Sequence, residues 1–78
     1  MKEVLRVLSP LKELRQARRM TQEQLADRSG VSIRTIARYE KDINLLRRAK
    51  YEKLKAITEA LSVSVDDIFL DDISVLLK

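Results

Sequence analysis

Arg34 and Arg38 stand four residues apart in the stretch SIRTIARYEK, one turn apart if that stretch is helical. A guanidinium presents a rigid fork of donors, and arginines so spaced can meet guanine O6 and N7 with two bonds each, or grip phosphate. Ser32 and Thr35 add short hydroxyls to the same stretch, although Ser32 also suits a helix N-cap. Arg18, Arg19, Lys41, Arg47 and Arg48 are further cations able to hold phosphate. On a bare surface such residues are ordinary solvated charge, so their meaning depends on what positions them. Other chemistries have little to work with. The chain has no His and no Cys, which removes thiolate and imidazole metal sites and the usual nucleophile–base pairs. The carboxylate pairs Asp66-Asp67 and Asp71-Asp72 are adjacent in sequence, so on a helix they diverge instead of converging on one ion or one reacting atom. With no Gly-rich phosphate loop and little volume for a pocket, an enzyme is not expected, and no cofactor is implied.

The elements that must position these residues are marked along the chain. Seventy-eight residues make one domain, with 45% apolar residues and a predominance of good helix formers. One Gly and one Pro leave few places for tight hairpins, so the fold class read here is all-α. Ser9-Pro10 reads as an N-cap and first helical residue, opening a helix over about Pro10–Arg18 with Leu11 and Leu14 on one face. Thr21 with Gln24 is a capping box for a second helix carrying Leu25 and Ala26, and Gly30 ends it. Ser32 caps a third, whose inner side holds Ile36 and Tyr39. A loop is expected from Lys41 to about Arg48, then a fourth helix with Leu54, Ile57 and Leu61 inward. Ser64 with Asp67 is a second capping box, opening a fifth helix that returns Ile68 and Phe69 to the core, its Asp66 and Asp67 suited to the positive helix end.

The two ends, with Val4, Leu5, Val7 and Leu8 at one and Ile73, Val75, Leu76 and Leu77 at the other, read either as short strands or as extensions of the flanking helices. They are peripheral to the domain, as segments 1–8 and 71–78. Because four exposed apolar side chains need cover, residues 73–77 are expected to be ordered, against residues 3–8 or across a two-fold axis. Nothing at the start resembles a signal peptide, and apolar runs reach only two or three residues, so a cytoplasmic chain with no membrane span is expected.

Residues 21–40 bring these signals together. Ala26 is small where two helices must cross, Gly30 sits where the turn wants a left-handed backbone, and Val31 and Ile36 fill the core beneath. A lone A-x-x-x-G says little; with two caps, a short turn and a basic outer face it specifies a helix-turn-helix. Charge agrees: residues 1–50 carry 13 Lys and Arg against 6 Asp and Glu, and residues 51–78 carry 3 against 6, for +4 overall. A basic front and acidic back suit a polyanion on one side.

The stretch from Leu14 to Phe69, through Thr21-Gln22, Leu25-Ala26, Gly30-Val31-Ser32, Thr35-Ile36, Tyr39-Glu40 and Ala60-Leu61…Val63-Ser64, resembles the lambda-repressor-like (phage Cro and repressor type, XRE) helix-turn-helix domain over roughly residues 10–70. The resemblance implies a compact five-helix bundle with its third helix in the major groove of double-stranded DNA. It also implies a phosphate contact for Gln22, and an inner ion pair between Arg15 and Glu40 that belongs to the scaffold. Position 33, often polar in the family, is Ile here, which leaves a thymine-methyl contact as its role. Residues 41–48 lack the Gly and Pro many members carry, so loop contacts carry over less directly than those of the third helix. The DNA-contacting set is therefore Gln22, Ser32, Ile33, Arg34, Thr35, Arg38 and Lys41. The expected function is sequence-specific transcriptional regulation as a homodimer on a palindromic operator, because one such module reads few base pairs. Two rivals share the fold. One is an antitoxin-type module whose apolar C-terminal tail engages a protein partner; the other is an adaptor that no longer binds DNA, against which the basic third helix argues.

Overall fold

A computed structural model describes residues 10–69, which form five α-helices and one 3-10 helix with no strand among them. The helices are α1 (Pro10–Ala17), α2 (Gln22–Ser29), α3 (Ile33–Lys41), α4 (Ile43–Arg47) and α5 (Tyr51–Leu61), followed by a 3-10 turn over Asp66–Phe69. The all-helical reading holds. The N-cap expected at Ser9, and the strands or helical extensions expected at the two ends, lie outside the described residues.

Local chemistry sets the boundaries. The Thr21 hydroxyl accepts from the Gln24 N–H at 3.0 Å while the Gln24 side chain accepts from the Thr21 N–H at 2.9 Å, so the capping box is complete. Gly30 takes φ 76°, and its N–H donates to the Ala26 carbonyl at 2.9 Å, stopping α2. The Ser32 hydroxyl accepts from the Thr35 N–H at 3.1 Å and starts α3 two residues after that glycine.

With only one glycine in the chain, two other helices end on non-glycine residues in the left-handed region, Arg19 (φ 58°) and Ser62 (φ 60°). Both ends carry the paired bonds of a Schellman motif. After α1, Met20 N–H reaches Arg15 O and Arg19 N–H reaches Gln16 O; after α5, Val63 N–H reaches Thr58 O and Ser62 N–H reaches Glu59 O. A left-handed side-chain-bearing residue costs about 1–2 kcal/mol, partly offset by the lower chain entropy it brings to the unfolded state. Ser62→Gly is therefore expected to stabilise the fold by about 0.5–1 kcal/mol, and Gly30→Ala to destabilise it by about 1 kcal/mol. A Cβ at Gly30 meets nothing within 4 Å, so that loss is one of backbone conformation alone. Urea midpoints of the two variants check this; a neutral Gly30→Ala would show that the turn does not need its left-handed residue.

The segment from Lys41 to Arg48 departs from the loop expected there, because Asp42 and Leu46 together make a helix of it. Asp42 closes α3, its N–H donating to the Arg38 carbonyl, and then caps α4, its carboxylate accepting from the Asn44 N–H at 2.9 Å. Leu46 is fully buried, which anchors the short helix to the core. The lack of Gly and Pro here is what lets the chain continue helically. The capping box at Ser64 is present, Ser64 N–H to Asp67 at 2.9 Å and Asp67 N–H to Ser64 at 3.3 Å. Within the described residues it opens the 3-10 turn over Asp66–Phe69 and no α-helix.

The core is a single cluster to which every helix contributes: Leu11 and Leu14 from α1, Leu25 from α2, Ile36 and Tyr39 from α3, Leu46 from α4, Leu54, Ile57 and Leu61 from α5, with Ile68 closing it from the 3-10 turn. Phe69 packs on it half-buried. α2 lies against both α3 and α5, and α1 against α3 and the 3-10 turn. The arrangement seats α3 by one side only.

Candidate nucleic-acid interface

One face of α3 is buried and the other is open. Ile36, Tyr39 and Glu40 point inward, whereas Ile33, Arg34, Arg38 and Lys41 are exposed and Ala37 is half-buried between them. Ile33 keeps 46% of its surface accessible. No carboxylate among the described residues lies within ion-pair distance of Arg34 or Arg38. The two guanidinium groups thus stand on the outer face without an internal partner among those residues.

A buried polar cluster holds α3 in place. Arg15 Nε donates to Glu40 Oε2 at 2.6 Å, and its Nη2 to Glu40 Oε1 at 3.1 Å, a two-bond fork between α1 and α3. Its remaining nitrogen donates to the Met20 carbonyl at 2.8 Å. Both side chains are nearly inaccessible, at 10% and 3%. Gln22 joins them, its amide nitrogen donating to Glu40 Oε1 at 3.1 Å across α2 and α3. The pair is scaffold, as the resemblance implied, and it ties three helices through one carboxylate.

The remaining site residues divide by whether the fold already uses them. Gln22 is half-buried and engaged with Glu40, so it orients α3 as well as standing at the start of α2. The Ser32 hydroxyl is spent twice, accepting from the Thr35 N–H and donating to Thr35 Oγ1 at 2.9 Å. Arg18, counted among the phosphate candidates, is instead half-buried, its Nε donating to the Leu61 carbonyl at 2.9 Å at the C-terminus of α5. Arg19, Lys41, Arg47 and Arg48 are exposed. Sequence reasoning passed over Lys50, Tyr51 and Lys53, which extend that exposed basic run into the start of α5, with Tyr51 64% accessible. Their signal was the segment RRAKYEK, where an aromatic stands among cations on what proves to be the outer side of α5.

Among the described residues no group of carboxylates is gathered as a metal would require, and Asp67 is occupied in capping. No helix there is long and apolar enough to cross a membrane.

A family model described as helix-turn-helix (HTH_3) matches residues 11–68, from the first buried leucine of α1 to the last core isoleucine. The chain belongs to the lambda-repressor-like helix-turn-helix family. As a helix-turn-helix protein it is a DNA-binding regulator, in a family that is generally non-enzymatic. In this helix-turn-helix protein α2 and α3 are the paired helices and Gly30 to Ser32 the turn between them. No curated protein matches the chain, and no solved structure does.

Proposed function

We propose that this helix-turn-helix protein binds double-stranded DNA sequence-specifically in the cytoplasm and regulates transcription, as a homodimer on a palindromic operator. The supporting observation is the two-sided character of α3: Ile36, Tyr39 and Glu40 lock it to the bundle, and Ile33, Arg34, Arg38 and Lys41 project from it. A rigid helix with an outward row of donors is the form that enters a major groove. Arg34 and Arg38 read base edges in this account, Ile33 touches a thymine methyl, and Lys41 and Gln22 hold phosphate, Gln22 through the amide hydrogen that Glu40 leaves unused. Ser32 and Thr35 lie at the entry to the groove.

Dimerisation rests on an energetic requirement: a single small module contacts too few base pairs to compete with the excess of non-specific sites in a genome. Two copies related by a two-fold axis double the contacts and impose a palindrome. Selection from random duplex DNA tests the whole reading at once. The expected product is one enriched inverted repeat, with half-sites about one helical turn apart and binding as two protomers per duplex. Recovery of no preferred sequence would overturn specific recognition, and an enriched single half-site would overturn the dimer.

A further inference from the structure

Every free valence on the outer face of α3 is either a hydrogen-bond donor or a methyl-bearing surface. Residues 33, 34, 37, 38 and 41 fall within an arc of roughly 140° at about 100° per residue, opposite Ile36 and Tyr39. Two are arginines and one is lysine, which donate and cannot accept; the other two, Ile33 and Ala37, are apolar. No Asn, Gln, Asp or Glu lies in that arc. Ser32 and Thr35 lie outside that arc and their hydroxyls bond to each other, Ser32 also accepting from the Thr35 N–H. Outside the arc, Gln22, Glu23 and Asp27 belong to α2, and Glu40 is buried against Arg15.

In the major groove, guanine shows two adjacent acceptors, O6 and N7, and thymine shows the O4 acceptor beside its methyl group. Adenine sets a single acceptor, N7, beside its N6 amino donor and cytosine shows only its N4 amino donor, so neither offers a guanidinium fork two acceptors. A face that only donates leaves those amino groups unpaired, at the cost of a buried unsatisfied donor. We infer that α3 of this protein makes its direct base contacts to the keto bases, guanine through Arg34 and Arg38 and thymine through Ile33, and that it meets adenine and cytosine only as their pairing partners. This rests on the DNA-reading function proposed above and adds to it the chemical alphabet of the site.

Base analogues in the selected duplex, with affinities measured at one fixed salt concentration, test it. Replacing each contacted guanine by 7-deazaguanine removes N7 and is expected to weaken binding about 5- to 150-fold. Replacing a contacted thymine by deoxyuridine removes one methyl and is expected to cost about fourfold. Ile33→Ala, at a side chain already half-exposed, is expected to abolish that thymine-over-uracil preference and leave the guanine effect intact. 7-Deazaadenine at any half-site adenine is expected to change nothing. A loss with 7-deazaadenine equal to that with 7-deazaguanine would overturn the keto preference while leaving specific DNA binding standing. Retention of the thymine preference by Ile33→Ala would overturn the assignment to that residue. A selection that enriches no sequence removes the function on which the inference rests, and the inference with it.

Discussion

Arg15→Ala is expected to cost roughly 3–5 kcal/mol of folding stability, the loss typical of a buried ion pair broken from one side. The damage is what remains behind. Glu40, 4% exposed, would be left with one amide donor from Gln22 in place of three N–H bonds, and the Met20 carbonyl would lose its side-chain partner. Small domains hold only about 5–15 kcal/mol in total, and 1 kcal/mol shifts the melting temperature of a domain this size by about 4–8 °C. Arg15→Ala should therefore melt roughly 12–40 °C lower, whereas Arg19→Ala, at an exposed position, should change stability by less than about 0.5 kcal/mol. The double change Arg15→Met with Glu40→Leu is expected to recover most of the loss, because it removes both charges from the interior together. Circular-dichroism melts of the three variants decide it. Equal melting points for the Arg15 and Arg19 variants would show that the pair is solvated.

The second large effect concerns binding. Arg34→Ala and Arg38→Ala are each expected to weaken operator binding by about 1–3 kcal/mol and to relax preference at one base pair per half-site. Neither side chain has an acidic partner among the described residues, so the folded bundle should tolerate both changes and the loss should appear in affinity alone. Lys41→Ala separates base reading from charge: it should weaken all sequences alike and reduce the slope of log affinity against log salt by about one. Titrations of selected and scrambled duplexes across a salt series make the distinction. Wild-type affinity in both arginine variants would remove α3 from the groove.

The clearest parts of the fold in the sequence were those decided within four or five residues. Thr21 with Gln24, Gly30, Ser32, and Ser64 with Asp67 are bonds between near neighbours, and each forms as its spacing implied. The inward rows Leu11-Leu14, Ile36-Tyr39 and Leu54-Ile57-Leu61 were equally legible, since periodicity selects a buried face wherever a helix meets a core. Two features were not legible for one reason. Asp42 was one charge in an expected loop until its double role as the end of α3 and the cap of α4 was visible, and that role depends on Leu46 finding a place in the core. Likewise, nothing in the types Arg19 and Ser62 announces a left-handed residue; the chain simply ends those helices without a glycine.

For the site, the sequence by itself determined which chemistry is available: arginines one turn apart, an apolar residue beside them, no histidine or cysteine, and a basic first half. Tertiary structure decided which of those groups are at liberty to use it. Arg18 and Arg15 are arginines on the same helix-to-turn segment as Arg19, yet one holds the Leu61 carbonyl, another a buried carboxylate, and only Arg19 is exposed. Gln22 and Glu40 are 18 residues apart and meet because α2 crosses α3 at that point. Such partners come from distant parts of the chain, and a side chain's type records what it can bond but not which acceptor the fold brings within 3 Å. Packing determines that, and with it the difference between an arginine that holds the protein together and one left to read DNA.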